Sequence, residues 1–210
     1  MKETIIIGYS GHSFVIIDTL VSNNIVVNYY LDNEEKALNP YQLEYLGTEN
    51  EEKNILFLKE NNYFIAIGDN QIRRKIQLFL AEKLQKATNI ISQKATISNK
   101  IILANGIFIG TNAIINALTS IGEGTIINTN AVIEHECKIG NYCHIAPSAT
   151  LCGNVEVGDL SFIGANSVIK QNVKIGKNVI VGAGSVVIRD IPDDSKVVGN
   201  PAKFITSKTF

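Results

Sequence analysis

The sequence predicts two parts of different architecture, a small α/β domain followed by a solenoid of short parallel β-strands. Two observations predict this division. The first ninety residues alternate between strand-like and helix-like segments, whereas from position 91 onward an aliphatic residue returns at every sixth position. An apolar content of 45% supports a packed core. We expect an α/β domain over residues 1–88 and a solenoid domain over residues 89–210.

The first half of the α/β domain is predicted from its apolar spacing. Residues 4–7 form a short apolar run that ends at Gly8, which is typical of a buried strand. Residues 11–21 carry apolar side chains at helical spacing, and residues 25–31 form a second apolar run. We therefore expect a strand, a helix and a strand in this order.

The second half of this domain continues the alternation. Residues 34–47 are polar and interrupted by Pro40, so we expect a loop with a short helix. Residues 63–67 form a further strand, and Asn70 is a favourable cap for a helix that extends to Leu84. Alternation of strands and helices predicts a small parallel sheet with right-handed crossovers.

The solenoid is predicted from an uninterrupted six-residue period. Seventeen successive phrases each open on Ile, Leu or Val. These openers are Ile91, Ile97, Leu103, Ile109, Ile115, Ile121, Ile127, Ile133, Ile139, Ile145, Leu151, Val157, Ile163, Ile169, Ile175, Val181 and Val187. A fixed short period indicates units that bury their apolar side only by stacking on one another.

The position within each phrase predicts which way a side chain points. The fifth residue is mostly small and lies two residues before the next opener, so both face the interior. The second and sixth residues then face outward, and the third and fourth form a bend rich in Asn and Gly. Three phrases, or about eighteen residues, close one triangular coil. The phrases make between five and six coils, and residues 190–210 are expected to cap them.

Charge and cysteine content exclude several classes of protein. A net charge of −1 provides no basic field for nucleic acid or an anionic membrane. Cys137, Cys143 and Cys152 form no Cys-x-x-Cys pair, which argues against a zinc or redox site. No apolar run approaches the ~20 residues of a membrane span, and no signal peptide is evident. We expect a cytoplasmic protein without a membrane span.

One bend carries residues suited to acid–base chemistry. His135 and Glu136 occupy the third and fourth positions of their phrase, so both side chains project outside the prism. Neighbours on a straight strand point apart, but neighbours at a bend can meet. A carboxylate bonded to one imidazole nitrogen fixes the tautomer and leaves the other nitrogen to accept a proton. This pair is predicted to be a general base with its orienting group.

The coil repeat also predicts what surrounds His135. Ala117 lies one coil below it and Gly153 one coil above, each about 4.8 Å away. Gly153 leaves space and a bare N–H for an acyl carbonyl, although a bend explains a glycine equally well. His144 lies half a coil away, on the opposite side of the prism. The two histidines could therefore share a site only between subunits, as in a three-fold trimer.

The α/β domain offers a second candidate site. Gly8 and Gly11 precede a predicted helix whose first N–H groups suit a phosphate, but their spacing is not a dinucleotide fingerprint and NAD is not predicted. Asp32, at a predicted strand end, is placed to accept from a ribose or uracil donor. Arg73 is placed to reach a phosphate. A purely structural cap would explain the same residues.

Four segments of the chain resemble one family. Residues 8–12 (GYSGH), 67–73 (IGDNQIR), 128–140 (NTNAVIEHECKIG) and 198–203 (VGNPAK) resemble, in the same order, the hexapeptide-repeat acetyltransferases of the NeuD/PglD type. This family comprises sialic acid O-acetyltransferases and UDP-4-amino-sugar N-acetyltransferases. The resemblance covers essentially the whole chain. It implies a Rossmann-like domain followed by a left-handed parallel β-helix, and the hand of the helix follows from the resemblance alone.

The resemblance also implies an activity. The expected protein is an acetyl-CoA-dependent N-acetyltransferase of a UDP-4-amino-4,6-dideoxy sugar in surface glycan biosynthesis, acting by direct transfer, without a metal, as a homotrimer. O-acetylation of sialic acid is the alternative within the family.

The family's site residues map onto individual positions of this chain. The catalytic base and its polarising carboxylate correspond to His135 and Glu136. The acetyl-CoA and acceptor site corresponds to Asn128, His144, Gly153, Ala165, Ala183 and Pro201. The nucleotide-sugar site corresponds to Gly8, Ser10, Gly11, His12, Asp32, Gly68, Asp69 and Arg73.

Two other functions are compatible with a six-residue solenoid. A zinc carbonic anhydrase needs three convergent histidines, and the solenoid holds only His135 and His144. A non-catalytic sugar-nucleotide-binding scaffold would bind its ligand without consuming acetyl-CoA, and it would not need a His–Glu pair at a bend.

Overall fold

The computed structural model describes residues 3–84 and 86–205. Its first part is a four-stranded sheet, in the order β3-β2-β1-β4, in which all strands run parallel. The elements are β1 (Thr4–Ile7), α1 (Gly11–Ser22), β2 (Tyr29–Leu31), β3 (Glu44–Tyr45), α2 (Glu52–Glu60), β4 (Asn62–Ile65) and α3 (Asn70–Ala81). The parallel sheet confirms the predicted alternation of strands and helices.

Several predicted boundaries in this part were wrong. The second strand contains only Tyr29–Leu31, because the chain from Ile25 onward first closes the end of α1 and leaves Val26 exposed. Residues 34–47 contain the short strand β3, which pairs with β2, and no helix. Helix α3 is capped by Asp69, whose carboxylate accepts a hydrogen bond from the Ile72 N–H, and it ends at Ala81.

The second part consists of three sheets, which we call the first, second and third faces and whose strands run parallel except for the last strand of the first face. The first face comprises β5 (Ile90–Ile91), β8 (Phe108–Ile109), β11 (Ile126–Ile127), β14 (His144–Ile145), β17 (Phe162–Ile163), β20 (Ile180–Val181), β22 (Lys196–Val198) and β23 (Lys203–Phe204). The second face comprises β6 (Thr96–Ile97), β9 (Ile114–Ile115), β12 (Val132–Ile133), β15 (Thr150–Leu151), β18 (Val168–Ile169) and β21 (Val186–Val187). The third face comprises β7 (Ile102–Leu103), β10 (Ser120–Ile121), β13 (Lys138–Ile139), β16 (Glu156–Val157) and β19 (Lys174–Ile175).

From β5 to β21 the paired residues lie eighteen positions apart, which confirms three phrases per coil. Ile127, for example, aligns with Ile109 on one side and Ile145 on the other. The openers form one continuous buried core with the small residues at the fifth position of each phrase, such as Ala131 and Cys143. Parallel strands connected by bends in this way form a β-helix with a triangular cross-section.

The bends take the backbone conformation that Asn and Gly favour. The fourth residue of successive phrases has a positive φ, for example +57° at Asn112 and +60° at Asn130. Glu136 and Tyr142 adopt the same angles, +61° and +54°. Residues other than Gly reach this region at a small cost, so a regular bend is maintained even where the sequence needs a functional side chain.

The α/β part packs against the first face of the β-helix. The outward residues Ile90, Phe108 and Ile126 are buried in one apolar cluster with the sheet and helix of the α/β part, including Tyr9 and Leu20. The last coil is covered by the antiparallel pair β22 and β23. Residues 206–210 of the expected cap lie outside the described part of the chain. Across residues 3–84 and 86–205, we find no helix with the length and hydropathy to cross a membrane.

Candidate functional site

His135 and Glu136 lie at the bend between the second and third faces, and we call the column of bend residues there the His135 vertex. The His135 Nδ1–H donates to Glu136 Oε2 over 2.9 Å, because an ionised carboxylate can only accept. Both side chains are exposed. In the neutral ring the remaining nitrogen, Nε2, carries a lone pair and can accept a proton.

A second carboxylate beside this pair is directed elsewhere. Glu134 Oε2 accepts from the Asn116 amide over 3.0 Å, one coil below. The Glu134 backbone carbonyl accepts from Thr119 Oγ1 over 3.0 Å. Only Glu136 is thus bonded to the His135 ring, and Glu136 alone determines its tautomer.

Gly153 lies directly against the His135 ring. The coils are in register, since Asn154 N–H donates to the His135 carbonyl over 2.8 Å and Glu136 N–H donates to the Ala117 carbonyl over 2.9 Å. A Cβ at position 153 would lie 2.6 Å from His135 Cε1 and 2.7 Å from Nε2. The space that we expected Gly153 to leave for an acyl group is therefore occupied by the imidazole itself.

The Gly153 N–H nevertheless remains available. No oxygen of the described residues accepts a hydrogen bond from it. It emerges at the same vertex as His135 Nε2, so a donor and a proton acceptor lie side by side at this surface. Such a pair can serve both the oxyanion and the proton of an acyl transfer.

His144 forms a second group, which we call the junction cluster, with His12, Asn128 and the carbonyl of Gly68. His144 Nε2 lies 3.2 Å from Asn128 Nδ2, and Nδ1 lies 3.4 Å from the Gly68 oxygen. The His12 ring is 5.7 Å away. His144 projects from the first face as expected, but it is buried beneath the α/β part rather than open to solvent.

Burial keeps both histidines of the junction cluster uncharged. Desolvation, together with a smaller effect of the nearby Arg73 charge, lowers the pKa of His12 to about 4. Desolvation likewise lowers the pKa of His144 to about 3, assisted by His12 and Arg73. His12 Nε2 is buried and has no hydrogen-bond partner among the described residues. It is therefore a polar atom that a ligand could satisfy.

The fold separates His135 from the junction cluster. His135 lies at the vertex opposite the first face, which carries His144. One chain therefore holds the two groups on opposite sides of the prism, as the half-coil spacing predicted.

The predicted nucleotide-sugar residues gather at the carboxyl edge of the parallel sheet. Gly8, Ser10 and Gly11 follow β1, and Gly68 follows β4, close to the His12 Cβ. Nothing lies within 4 Å of the position that a Gly11 side chain would occupy. The N-terminus of α1 is therefore open to solvent, where its unpaired N–H groups favour an anion.

Asp32 reaches the same edge but already has partners within the chain. Its carboxylate accepts from the Tyr9 and Asn33 N–H groups at 2.8 and 2.7 Å, and Lys36 Nζ lies 3.2 Å away. Asp32 therefore holds the Gly8–Gly11 turn in place. Asp69, as the cap of α3, is similarly occupied on one oxygen.

The prediction that Arg73 reaches a phosphate was wrong. The side chain is 1% exposed, and its guanidinium donates to oxygens of the chain on all sides. It connects the loop after β4 to the β-helix and leaves no N–H for a ligand.

The remaining predicted acetyl-CoA residues fall at two places. Ala165 and Ala183 stack at the vertex between the first and second faces, where Gly184 N–H donates to the Ala165 carbonyl. Pro201 lines a cavity of about 370 Å³ together with residues 187–191. Residues 187–191 begin at the end of β21, the last strand of the second face. The cavity therefore lies at the same vertex as His135, on the far side of Gly153.

Sequence reasoning missed an apolar recess beside the junction cluster. A cavity of about 290 Å³ is lined by Gly68, Asp69, Asn70, Gln71, Leu160, Phe162, Asn178 and Ile180. The ring of Phe162 lies 5.1 Å from that of His144. Aromatic residues at outward sixth positions, Phe108 and Phe162, were the signal in the sequence that this face is covered.

Cys137 and Cys143 are buried in the core and take no part in either group. Burial raises the pKa of the Cys137 thiol to about 11 and that of Cys143 to about 12, so both stay protonated. Within residues 3–84 and 86–205, no three His, Cys, Asp or Glu side chains converge as a metal site requires.

Comparison with known proteins gives matches to both parts of the chain. Residues 3–78 match the PglD N-terminal domain, and residues 118–153 and 154–189 match the bacterial transferase hexapeptide (six repeats). A curated relative, the uncharacterized protein L142 of Acanthamoeba polyphaga mimivirus, is 30% identical over 113 residues. The chain spans only 22% of that protein's length.

Solved structures match over nearly the whole chain. A mutant of perosamine N-acetyltransferase from Caulobacter crescentus, in complex with CoA and GDP-perosamine, is 33% identical, with a TM-score of 0.91 and coverage of 99% of this chain and 98% of that one. The acetyltransferase domain of PglB from Neisseria gonorrhoeae, in complex with acetyl coenzyme A, is 30% identical, with a TM-score of 0.89 and coverage of 97% and 99%. WeeI from Acinetobacter baumannii, at 23% identity, a TM-score of 0.86 and coverage of 98% and 100%, shares the fold. These matches confirm the Rossmann-like domain followed by a left-handed parallel β-helix.

Proposed function

The chain belongs to the hexapeptide-repeat sugar acetyltransferases of the NeuD/PglD type and is an acetyl-CoA-dependent acyltransferase, and on this basis we propose that it N-acetylates the amino group of a nucleotide-linked amino sugar. The observation that carries this proposal is the His135–Glu136 pair against Gly153, a general base beside a free backbone donor. A relative at 33% identity was crystallised with CoA and GDP-perosamine, a sugar nucleotide of this class.

His135 acts as the general base in this proposal. The sugar amine attacks the thioester carbonyl, His135 Nε2 takes the proton that the nitrogen loses, and the carbon–sulfur bond breaks to release CoA. Glu136 holds the ring with Nε2 free and stabilises the imidazolium that forms. The Gly153 N–H donates to the oxyanion of the tetrahedral intermediate. Transfer is direct, and no side chain of the enzyme is acylated.

The His135 vertex supplies a track for acetyl-CoA. The cavity beside Pro201 lies at Arg189, three coils from His135, a separation of about 14 Å at the coil repeat. We propose that the coenzyme binds along this column, with its distal part at the cavity and its thioester at Gly153.

The nucleotide-sugar occupies the carboxyl edge of the α/β part. The open N-terminus of α1 at Gly11 suits the diphosphate. The orphaned His12 Nε2 and the recess beside Phe162 supply a polar and an apolar contact for the sugar. Uridine is the nucleoside that the family resemblance implies, and guanosine is the nucleoside in the relative's complex, so both are tested below.

A homotrimer brings the junction cluster of one subunit next to the His135 vertex of another. The sixth-position residues of the second face, which are the outward residues of its strands, are uncharged: Thr96, Ile114, Val132, Thr150, Val168 and Val186. The third face instead carries the exposed ladder Lys138, Glu156 and Lys174. We propose that the second face is buried between subunits. The junction cluster of one copy then meets the His135 vertex of its neighbour.

The acceptor class is tested with matched pairs of sugars. Purified protein is incubated with acetyl-CoA and either UDP- or GDP-linked 4-amino-4,6-dideoxyhexose, the matching 4-hydroxy sugars, or free sialic acid. Thiol release and product mass are followed. The proposal predicts thiol release and a gain of one acetyl group with amino sugars and neither with their hydroxy partners. If sialic acid is acetylated and none of the amino sugars is, the proposal of N-acetylation is contradicted and the enzyme is an O-acetyltransferase.

A further inference from the structure

Helix α3 lies along the vertex between the third and first faces and bonds to successive coils. Asn70 Nδ2 donates to the Leu160 carbonyl over 3.0 Å, and Arg73 Nη2 donates to the Tyr142 carbonyl over 3.2 Å, one coil below. Three residues of helix rise about 4.5 Å, close to the coil repeat of about 4.8 Å. The rise of the helix therefore matches the repeat of the coils. Through these hydrogen bonds, α3 fixes the position of the α/β part along the axis of the β-helix.

Arg73 forms the centre of this contact. Its Nε donates to the Gly124 carbonyl over 2.6 Å, its Nη1 to the carbonyls of Ile67 and Gly68 over 2.8 and 3.1 Å, and its Nη2 to Asn70 Oδ1 over 2.7 Å. All five guanidinium N–H groups thus have acceptors. No carboxylate of residues 3–84 and 86–205 lies within ion-pair distance, so the buried cation is held by neutral oxygens.

The Gly68 carbonyl links Arg73 to His144. It accepts from Arg73 Nη1 and lies 3.4 Å from His144 Nδ1. On the other side of the ring, Asn128 is fixed because its Oδ1 accepts from the Thr129 N–H over 2.8 Å. The Asn128 NH₂ therefore donates to His144 Nε2. With the ring held between these two contacts, its proton lies on Nδ1, facing the Gly68 carbonyl, and its lone pair lies on Nε2.

We propose that Arg73 is a positioning residue that holds the Gly68 carbonyl against the β-helix and so keeps His144 as a single neutral tautomer, protonated on Nδ1. Its consequence for acetyl transfer rests on the proposed function, because only there does His144 contact the substrates. The structural claim stands independently of activity.

Charge supports this role. The groups that face His144 are His12, from the start of α1, and Arg73, from α3, with Asp69 adding a negative charge near Arg73. Burial lowers the pKa of His144 most, and His12 and the Arg73 charge act in the same direction. Arg73 thus acts in two ways. Its guanidinium donors fix the position of the Gly68 carbonyl, and its positive charge lowers the pKa of both His12 and His144.

The test is a nitrogen-15 NMR titration of the full-length chain, whose three histidines are assignable by single replacement. In the parent protein and in the control Arg74→Gln, an exposed neighbour on the same helix, His144 is expected to show only the Nδ1–H tautomer near pH 7. In Arg73→Gln, His144 is expected to show both tautomers and a measurably higher pKa.

Arg73→Lys separates geometry from charge. His144 in this variant is expected to show both tautomers, because Lys lacks the planar set of donors that holds the Gly68 carbonyl. Its pKa is expected to stay below that in Arg73→Gln, because the positive charge remains. Equal pKa values in the two variants would overturn the role of the charge. If Arg73→Gln does not fold, the tautomer of His144 in Arg73→Lys alone tests the proposal. A folded variant that retains the pure Nδ1–H tautomer overturns the proposal.

Kinetics distinguish this proposal from the proposed function. Arg73→Lys is expected to lower kcat for acetyl transfer with little change in the KM for the sugar nucleotide. Loss of the tautomer with an unchanged kcat would contradict the link to catalysis. An absence of acetyl transfer in the parent protein would instead contradict the proposed function and leave the NMR result standing.

Discussion

At the scale of single residues, the proposed chemistry depends on one close approach. The His135 ring lies over Gly153, where a side chain would meet Cε1 and Nε2. Gly153 has no positive φ, so backbone strain does not explain the glycine. The close packing of the imidazole does explain it.

Replacing Gly153 tests this contact. Gly153→Ala is expected to displace the imidazole and lower kcat about tenfold to a hundredfold, as expected for a misplaced catalytic group. Steady-state kinetics measure this effect. The matched control is thermal unfolding of Gly153→Ala in the background of His135→Ala, where the clash is gone and no loss of stability is expected. An unchanged kcat in the single variant would show that the ring has no fixed position.

The junction cluster predicts a dependence of stability on pH. The pKa of His12 is lowered to about 4 and that of His144 to about 3, whereas an unfolded histidine has a pKa of 6.5. Between pH 6.5 and these values the unfolded chain binds more protons, so stability falls as the pH decreases. The expected slope is up to about 1.4 kcal/mol per pH unit for each histidine.

Urea unfolding at pH 7, 6 and 5, at a fixed protein concentration, measures this slope. His144→Gln is expected to reduce it, whereas His135→Gln is expected to leave it unchanged because His135 is exposed. A slope that is the same in all three proteins would contradict a neutral, buried His144.

At the scale of elements, the short period predicted the strands of the β-helix well, because each two-residue strand is determined by its own phrase. The bend at His135 and the neighbour at Gly153 followed from counting along the coil. Strand β3 was not predicted, because two residues become a strand only by pairing with β2. Helix α2, which buries Ile55 and Leu58, was also not assigned in advance.

The role of Arg73 could not be predicted for a related reason. Its acceptors at Gly124 and Tyr142 are 51 and 69 positions away in the chain. Outward aromatic residues such as Phe108 indicate that the first face is covered, but no local pattern indicates which residues of the α/β part lie against which coil. An Arg in the first turn of a helix, four residues after its cap, is therefore equally compatible with a ligand and with a buried contact, and only the packing distinguishes them.

The cap of α3 gives a prediction at this scale. Asp69→Ala removes the acceptor for the Ile72 N–H and is expected to reduce stability by about 1 kcal/mol. Asp69→Asn retains a capping oxygen and is expected to have nearly the parent stability. Chemical unfolding of both variants measures the difference. Equal losses would indicate that the charge of Asp69, rather than its cap, stabilises this region.

At the scale of the whole molecule, the fold holds two chemical groups that it cannot bring together in one chain. The α/β part covers the first face and buries His144, and the opposite vertex carries His135. An assembly in which neighbouring copies complete each site resolves this separation.

Mixed trimers test that assembly. His135→Ala and His144→Ala chains carrying different tags are co-expressed, and trimers that contain both are purified. In a trimer that contains both chains, one interface of the three combines an intact His135 with an intact His144, so activity of about one third of the parent value is expected. Each variant alone is expected to be nearly inactive. Mixed trimers as inactive as the separate variants would contradict a shared site.

The central claim, that His135 is the general base of an acetyl transfer, is tested by the kcat of His135→Ala with acetyl-CoA and the amino-sugar nucleotide selected by the panel. Asn99→Ala is the matched control, because Asn99 is exposed at the same vertex two coils below. The account predicts a fall of about 100-fold to 10,000-fold in kcat for His135→Ala and a parent-like value for Asn99→Ala. A His135→Ala enzyme with near-parent kcat would contradict it.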